Sequence, residues 1–197
     1  MKQKDLKRRD FITKATFGTV GAATLLSACS TENKTKPIDE PPALLDQAPD
    51  GKLIKAGLIG CGGRGTGAAI NFLDAGPNLE ITALGDVFQD RIDTCRANLK
   101  EEKGVEIADE NCFLGFDSYQ KVIDSGVDVV LLCTPPHFRP SHVEAAINAH
   151  KHVFMEKPVA VDPVGARSVL VSSKMAETLG LCMVSGTVRR VQKDYMT

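Results

Sequence analysis

The sequence predicts an α/β fold, a doubly wound parallel sheet, and three observations carry that expectation. Short apolar runs alternate with helix-patterned stretches along the whole chain from Leu53 to Ser185. The first run ends in Gly60-Cys61-Gly62-Gly63-Arg64-Gly65, and a helical pattern follows directly. The second run, from Ile81, ends on the carboxylate of Asp86, 21 positions beyond Gly65.

Each glycine of the first loop has a physical job. Gly60 allows a tight turn, Gly62 lets the backbone approach a pyrophosphate, and Gly65 lets the following helix pack closely on the strand. Phosphates would rest on free N–H groups at the positive end of the helix expected from Thr66 to Leu73. A carboxylate at Asp86 would accept from the adenosine ribose 2′-hydroxyl and repel a 2′-phosphate, which favours NAD over NADP. Arg64 and Arg91, as potential phosphate partners, keep NADP open, and Asp86 could instead cap the next helix.

That helix is expected from about Asp90 to Lys103, with Ile92, Cys95 and Leu99 inward and Gly104 as its stop. A short strand near Cys112–Leu114 precedes a helix from Tyr119 that carries Val122 and Ile123 and closes at Gly126. Val127–Cys133 is nearly continuously apolar, the pattern of a central parallel strand covered on both faces. The prolines of Thr134-Pro135-Pro136-His137 then force the chain out of the sheet. Pro140 to Ala149 reads as a helix with Val143, Ala146, Ile147 and His150 on one face. The strand His152–Met155 delivers Glu156-Lys157-Pro158, Asp162-Pro163 opens a helix ending at Gly180, and Leu181–Ser185 is the last strand.

Composition narrows the function classes. A chain of 197 residues can bury one good core but is short for two full domains. With 24 basic and 25 acidic residues it lacks the electrostatic footprint of a nucleic-acid binder. Six cysteines (29, 61, 95, 112, 133 and 182) show no C-x-x-C and no metal-ligand spacing, and most, falling within apolar stretches, read as small buried thiols.

The N-terminal 29 residues stand apart from the fold. Lys7-Arg8-Arg9-Asp10-Phe11-Ile12 resembles a twin-arginine export signal, and Leu26-Ser27-Ala28-Cys29 resembles the lipobox of bacterial lipoproteins. These resemblances imply export in the folded state with cofactor already loaded, cleavage before Cys29, and a membrane lipid on its sulfur. The implied location is the periplasm or cell envelope. An uncleaved amphipathic N-terminus is the alternative. Residues 30–50 are polar and proline-containing and read as a tether.

Taken together, the glycine loop, Asp86, Thr134-Pro-Pro-His137 and Lys151-His-Val-Phe-Met-Glu-Lys-Pro158 resemble the N-terminal, Rossmann-like half of the Gfo/Idh/MocA oxidoreductases. The resemblance covers roughly residues 52–197. It implies that Gly60, Gly62, Gly63, Arg64 and Gly65 form the pyrophosphate loop and that Asp86 holds the adenosine ribose. Thr134, Pro135 and His137 would flank the nicotinamide half, Glu156 would meet its ribose, and Lys157 would stand beside the reacting carbon, both part of the cofactor site and the catalytic group. Read alone, Lys157 is a surface lysine at a strand end.

Arg139 departs from the family, which often carries a histidine there. It would either bind an acidic or phosphorylated substrate or cap the following helix, and His142 reads as surface or packing. Gly186-Thr-Val-Arg-Arg190 resembles the linker into a second domain, where Arg189 or Arg190 would reach substrate or form a solvated turn. The implied plan is a signal over 1–29, a linker over 30–50, a dinucleotide domain over 51–186 and the start of a truncated substrate domain over 187–197. With that second domain present, a homo-oligomer is expected.

Three functions follow: an exported NAD-dependent oxidoreductase of a sugar or polyol, a redox-neutral glycosidase or epimerase of the same fold, and a non-catalytic cofactor-binding fragment.

Overall fold

The structure, a computed structural model, describes residues 51–187. The export signal, Cys29, the tether, Arg189 and Arg190 lie outside the described residues.

Strand and helix alternate throughout. The order is β1 (Ile54–Ile59), α1 (Gly63–Asp74), β2 (Leu79–Asp86), α2 (Gln89–Lys103), β3 (Cys112–Leu114), α3 (Ser118–Asp124), β4 (Val129–Leu132), α4 (Arg139–Asn148), β5 (His152–Met155), α5 (Pro163–Thr178) and β6 (Met183–Ser185). The strands lie in the order β3-β2-β1-β4-β5-β6, and every pairing is parallel. This is the doubly wound sheet expected from the alternation. Its order reverses between β1 and β4, so a crevice opens outside their carboxyl ends.

Side-chain alternation explains why both faces are covered. In β1, Ala56 and Leu58 join Ile92, Cys95 and Leu99 of α2, whereas Ile59 joins the cluster of Val122, Ile123, Val143 and Ile147 from α3 and α4. β4 divides likewise, with Leu131 on the first face and Val130 and Leu132 on the second. The β1–β2 register shifts between Ala56 and Gly57, which pair with Ile81 and Ala83 and leave Thr82 as the extra residue. Full burial of a Leu or Ile side chain contributes about 1.5–3 kcal/mol, whereas a solvent-screened pair such as Lys100–Glu106 adds little. The two apolar clusters, not the surface charges, therefore hold the fold.

Element boundaries moved in instructive ways. Helix α1 begins at Gly63, three residues before Thr66, so half of the glycine loop is helical. Helix α4 ends at Asn148, and His150 is exposed with φ 57°, outside the face it was expected to share. Asp162 caps α5 as expected, its Oδ1 accepting from the Gly165 N–H at 2.7 Å. Cys61 and Cys95 are buried, but Cys182 is exposed and does not fit the reading of buried thiols.

Candidate active site

The glycine loop joins β1 to α1 at the crevice. Gly60 has φ 96°, a conformation that side chains other than hydrogen resist, and a Cβ there would lie 2.8 Å from backbone atoms of Cys133 and Thr134. A Cβ on Gly65 would lie 1.9 Å from the Gly60 carbonyl oxygen, so the start of α1 rests on the turn itself. At Gly62 and Gly63 a Cβ would meet nothing within 4 Å. Gly62 is the N-cap of α1 and supplies no side-chain cap, so the first N–H groups of the helix lack intrahelical partners, beside the open space at Gly62 and Gly63. That is a cradle for an anion bound by backbone, and it fits the diphosphate of a dinucleotide.

Asp86 closes β2 beside this loop. Its Oδ2 accepts from the Cys61 N–H at 2.7 Å and its Oδ1 from the Phe88 N–H at 3.0 Å. The N-cap of α2 is Phe88, so Asp86 does not cap that helix; it ties β2 to the glycine loop. A carboxylate has about four acceptor sites, which leaves capacity for ribose hydroxyls.

A cavity of about 430 Å³ runs along the crevice, lined by Gly60, Gly62, Asp86, Thr134, Pro135 and His142 among others. Apolar side chains form its outer wall: Phe88 is 62 % exposed, Phe116 76 %, and the rings of Phe116 and Phe138 stand 6.3 Å apart. The sequence offered no periodic signal for this wall, because each phenylalanine stands alone just past a strand end.

The carboxyl end of β5 supplies the other half of the site. Glu156 is 3 % exposed and pairs with the Arg64 guanidinium; its Oε2 also accepts from the Lys157 N–H at 3.2 Å. Arg64 and Glu156, expected at the pyrophosphate and the nicotinamide ribose respectively, thus meet each other across the crevice. Lys157 is exposed immediately beyond, and His137 is exposed on the turn after β4. Cys133 lies between these parts; burial, then the Glu156 charge, pushes its thiol up to about 12, so it stays protonated.

Arg139 is 5 % exposed and donates from Nη1 to the Pro158 carbonyl, so it is neither exposed to a substrate nor capping α4, whose N-cap is Phe138. His142 is buried, its ring stacked on Tyr119 with centroids 4.1 Å apart. Burial pushes its pKa down to about 4, so it is a neutral imidazole at physiological pH.

Residues 54–185 match the model of the Gfo/Idh/MocA family, described as an oxidoreductase family with an NAD-binding Rossmann fold. The chain belongs to that family. Over 142 residues it is 30 % identical to a myo-inositol 2-dehydrogenase of Thermotoga maritima, covering 72 % of this chain and 38 % of that protein. It is 33 % identical over 144 residues to an inositol 2-dehydrogenase of Cereibacter sphaeroides, covering 73 % and 39 %. Among solved structures it resembles a scyllo-inositol dehydrogenase from Lactobacillus casei with bound NAD(H) and scyllo-inositol (TM-score 0.58, 27 % identity, 73 % of this chain and 39 % of that one). The chain therefore spans about two-fifths of the length of these family members, and the aligned part is the NAD-binding domain.

Proposed function

We propose that this chain is the cofactor domain of an NAD-dependent oxidoreductase that acts on a sugar or polyol, in a protein exported by the twin-arginine route and lipid-anchored at the envelope. One observation carries the enzymatic part: the glycine loop and Asp86 line one cavity at the carboxyl ends of β1 and β2, and the Arg64–Glu156 pair joins that loop to the turn after β5 that carries Lys157. The names of the inositol dehydrogenases support a polyol as the substrate class. NAD, when bound, supplies the hydride acceptor. The chain's own residues bind and orient: α1 N–H groups take the diphosphate and Asp86 the adenosine ribose, while Glu156, buried and paired with Arg64, holds the Lys157 turn beside the second ribose. Lys157 stabilises or relays the charge left as the carbinol loses its hydroxyl proton.

The purified chain should bind NAD more tightly than NADP, and Asp86→Ser should erase that preference by about tenfold or more, measured by calorimetric titration. Failure to bind either nucleotide would refute the reading. A version extended to the length of its relatives, given polyols, should accumulate NADH at 340 nm. Product without NADH would instead mark redox-neutral chemistry, in which hydride returns to the substrate within each cycle.

The export part rests on the paired arginines and on Cys29. In a bacterial host, Cys29→Ser should move the protein from the membrane to the soluble fraction on fractionation. Undiminished membrane association would rule out the lipid anchor.

A further inference from the structure

Two buried polar side chains on the first turns of α4 have no part in the cofactor contacts proposed above. Arg139 and His142 are three residues apart and so share one helix face. Arg139 donates to the carbonyl of Pro158, the residue after Lys157, and its Nε is buried with no partner among the described residues. His142 Nδ1 lies 3.4 Å from Thr134 Oγ1, and its ring is stacked on Tyr119 of α3.

A guanidinium in this place is opposed twice. Burial works against its charge, which the neighbouring Glu156 carboxylate supports only in part, and a cation at a helix N-terminus meets the positive end of the dipole. Packing of α4 does not require it, because Val143, Ala146 and Ile147 already supply the apolar face. What the two polar groups do share is their targets, one on each turn bordering the crevice.

We infer that Arg139 and His142 are positioning residues forming a two-pronged brace. Arg139 fixes the Glu156–Pro158 turn that carries Lys157, and His142 fixes the Thr134–His137 turn. Helix α4 thereby sets the gap in which the nicotinamide half is proposed to lie. The roles of Lys157 and Thr134 rest on the proposed function, but the brace itself can be tested without that chemistry.

Hydrogen exchange on the full chain, with and without NAD, reads each prong separately. Arg139→Met should raise exchange in peptides spanning 156–160 by about tenfold while leaving 133–138 within threefold, and His142→Phe, which keeps the aromatic stack, should do the reverse. Arg139→Lys retains the charge but not the planar fork and should fall between wild type and Arg139→Met. Both Arg139→Met and His142→Phe should weaken NAD binding by about threefold to tenfold.

Exchange raised equally over α4, β5 and both turns would reduce the pair to ordinary structural residues and overturn the brace. So would wild-type exchange at both turns. If Arg139→Met does not fold, wild-type exchange over 156–160 in Arg139→Lys overturns the Arg139 prong. A chain that shows the two local exchange patterns yet binds no NAD would keep the brace and refute the proposed function.

Discussion

Gly65→Ala is expected to abolish NAD binding and to cost about 3 kcal/mol of stability, seen as a fall of about 10 °C in Tm. The added methyl would sit 1.9 Å from the Gly60 carbonyl oxygen and 3.0 Å from its carbon. Both are backbone atoms, so no side-chain rotation relieves the overlap. Nor can Gly60 retreat, since its own Cα faces Cys133 and Thr134 so closely that a Cβ would lie 2.8 Å from them. The helix must then lift off the turn, which carries its N–H groups away from the diphosphate. Gly63→Ala is the contrast: its methyl meets no protein atom within 4 Å, so Tm should hold within about 2 °C. Since Gly63 opens the helix on which the diphosphate is proposed to rest, NAD affinity should still fall by about tenfold or more. A stable, NAD-binding Gly65→Ala would show that the loop tolerates movement and that the fit between helix and turn is not what makes the site.

How much of this was legible follows from what local sequence records. β4 read correctly because a strand covered on both faces is apolar without interruption, β1 because its buried Ala56–Ile59 stretch runs straight into the glycine loop, and the Asp162-Pro163 pair marked the start of α5 through its capping chemistry. The start of α1 was misplaced because Gly63 and Gly65 read as loop residues, whereas the close packing at Gly65 and the open space at Gly63 are both properties of a helix's first turn. Asp86 stood out as a carboxylate at a strand end, and Glu156 through the Glu-Lys-Pro motif of the family resemblance. Their partners did not: Arg64 meets Glu156 across 92 positions, and nothing in either local pattern encodes that distance. Arg139 shows the limit most clearly. Its place where the family often carries a histidine left substrate or a helix cap open, yet its contact is the Pro158 carbonyl, a backbone atom invisible to any side-chain motif.

Lys157→Ala, placed in a version extended to the length of its relatives, is expected to lower kcat by roughly 10³-fold while leaving NAD affinity within about twofold. Stability should stay within about 0.5 kcal/mol, because Lys157 is exposed and the charge nearest to it in sequence, Glu156, is already engaged by Arg64. A loss of rate without a loss of folding or cofactor would then belong to the chemical step, with kcat and kcat/KM falling together. Lys157→Arg separates the two ways a lysine could act. An arginine keeps the positive charge but does not give up its proton at accessible pH, so it should restore activity if Lys157 only stabilises developing negative charge, and fail if Lys157 must accept the hydroxyl proton. Should NAD affinity collapse in Lys157→Ala instead, the lysine is a cofactor ligand. The burden of proton transfer would then move to His137, the other exposed titratable side chain on the two turns that α4 braces.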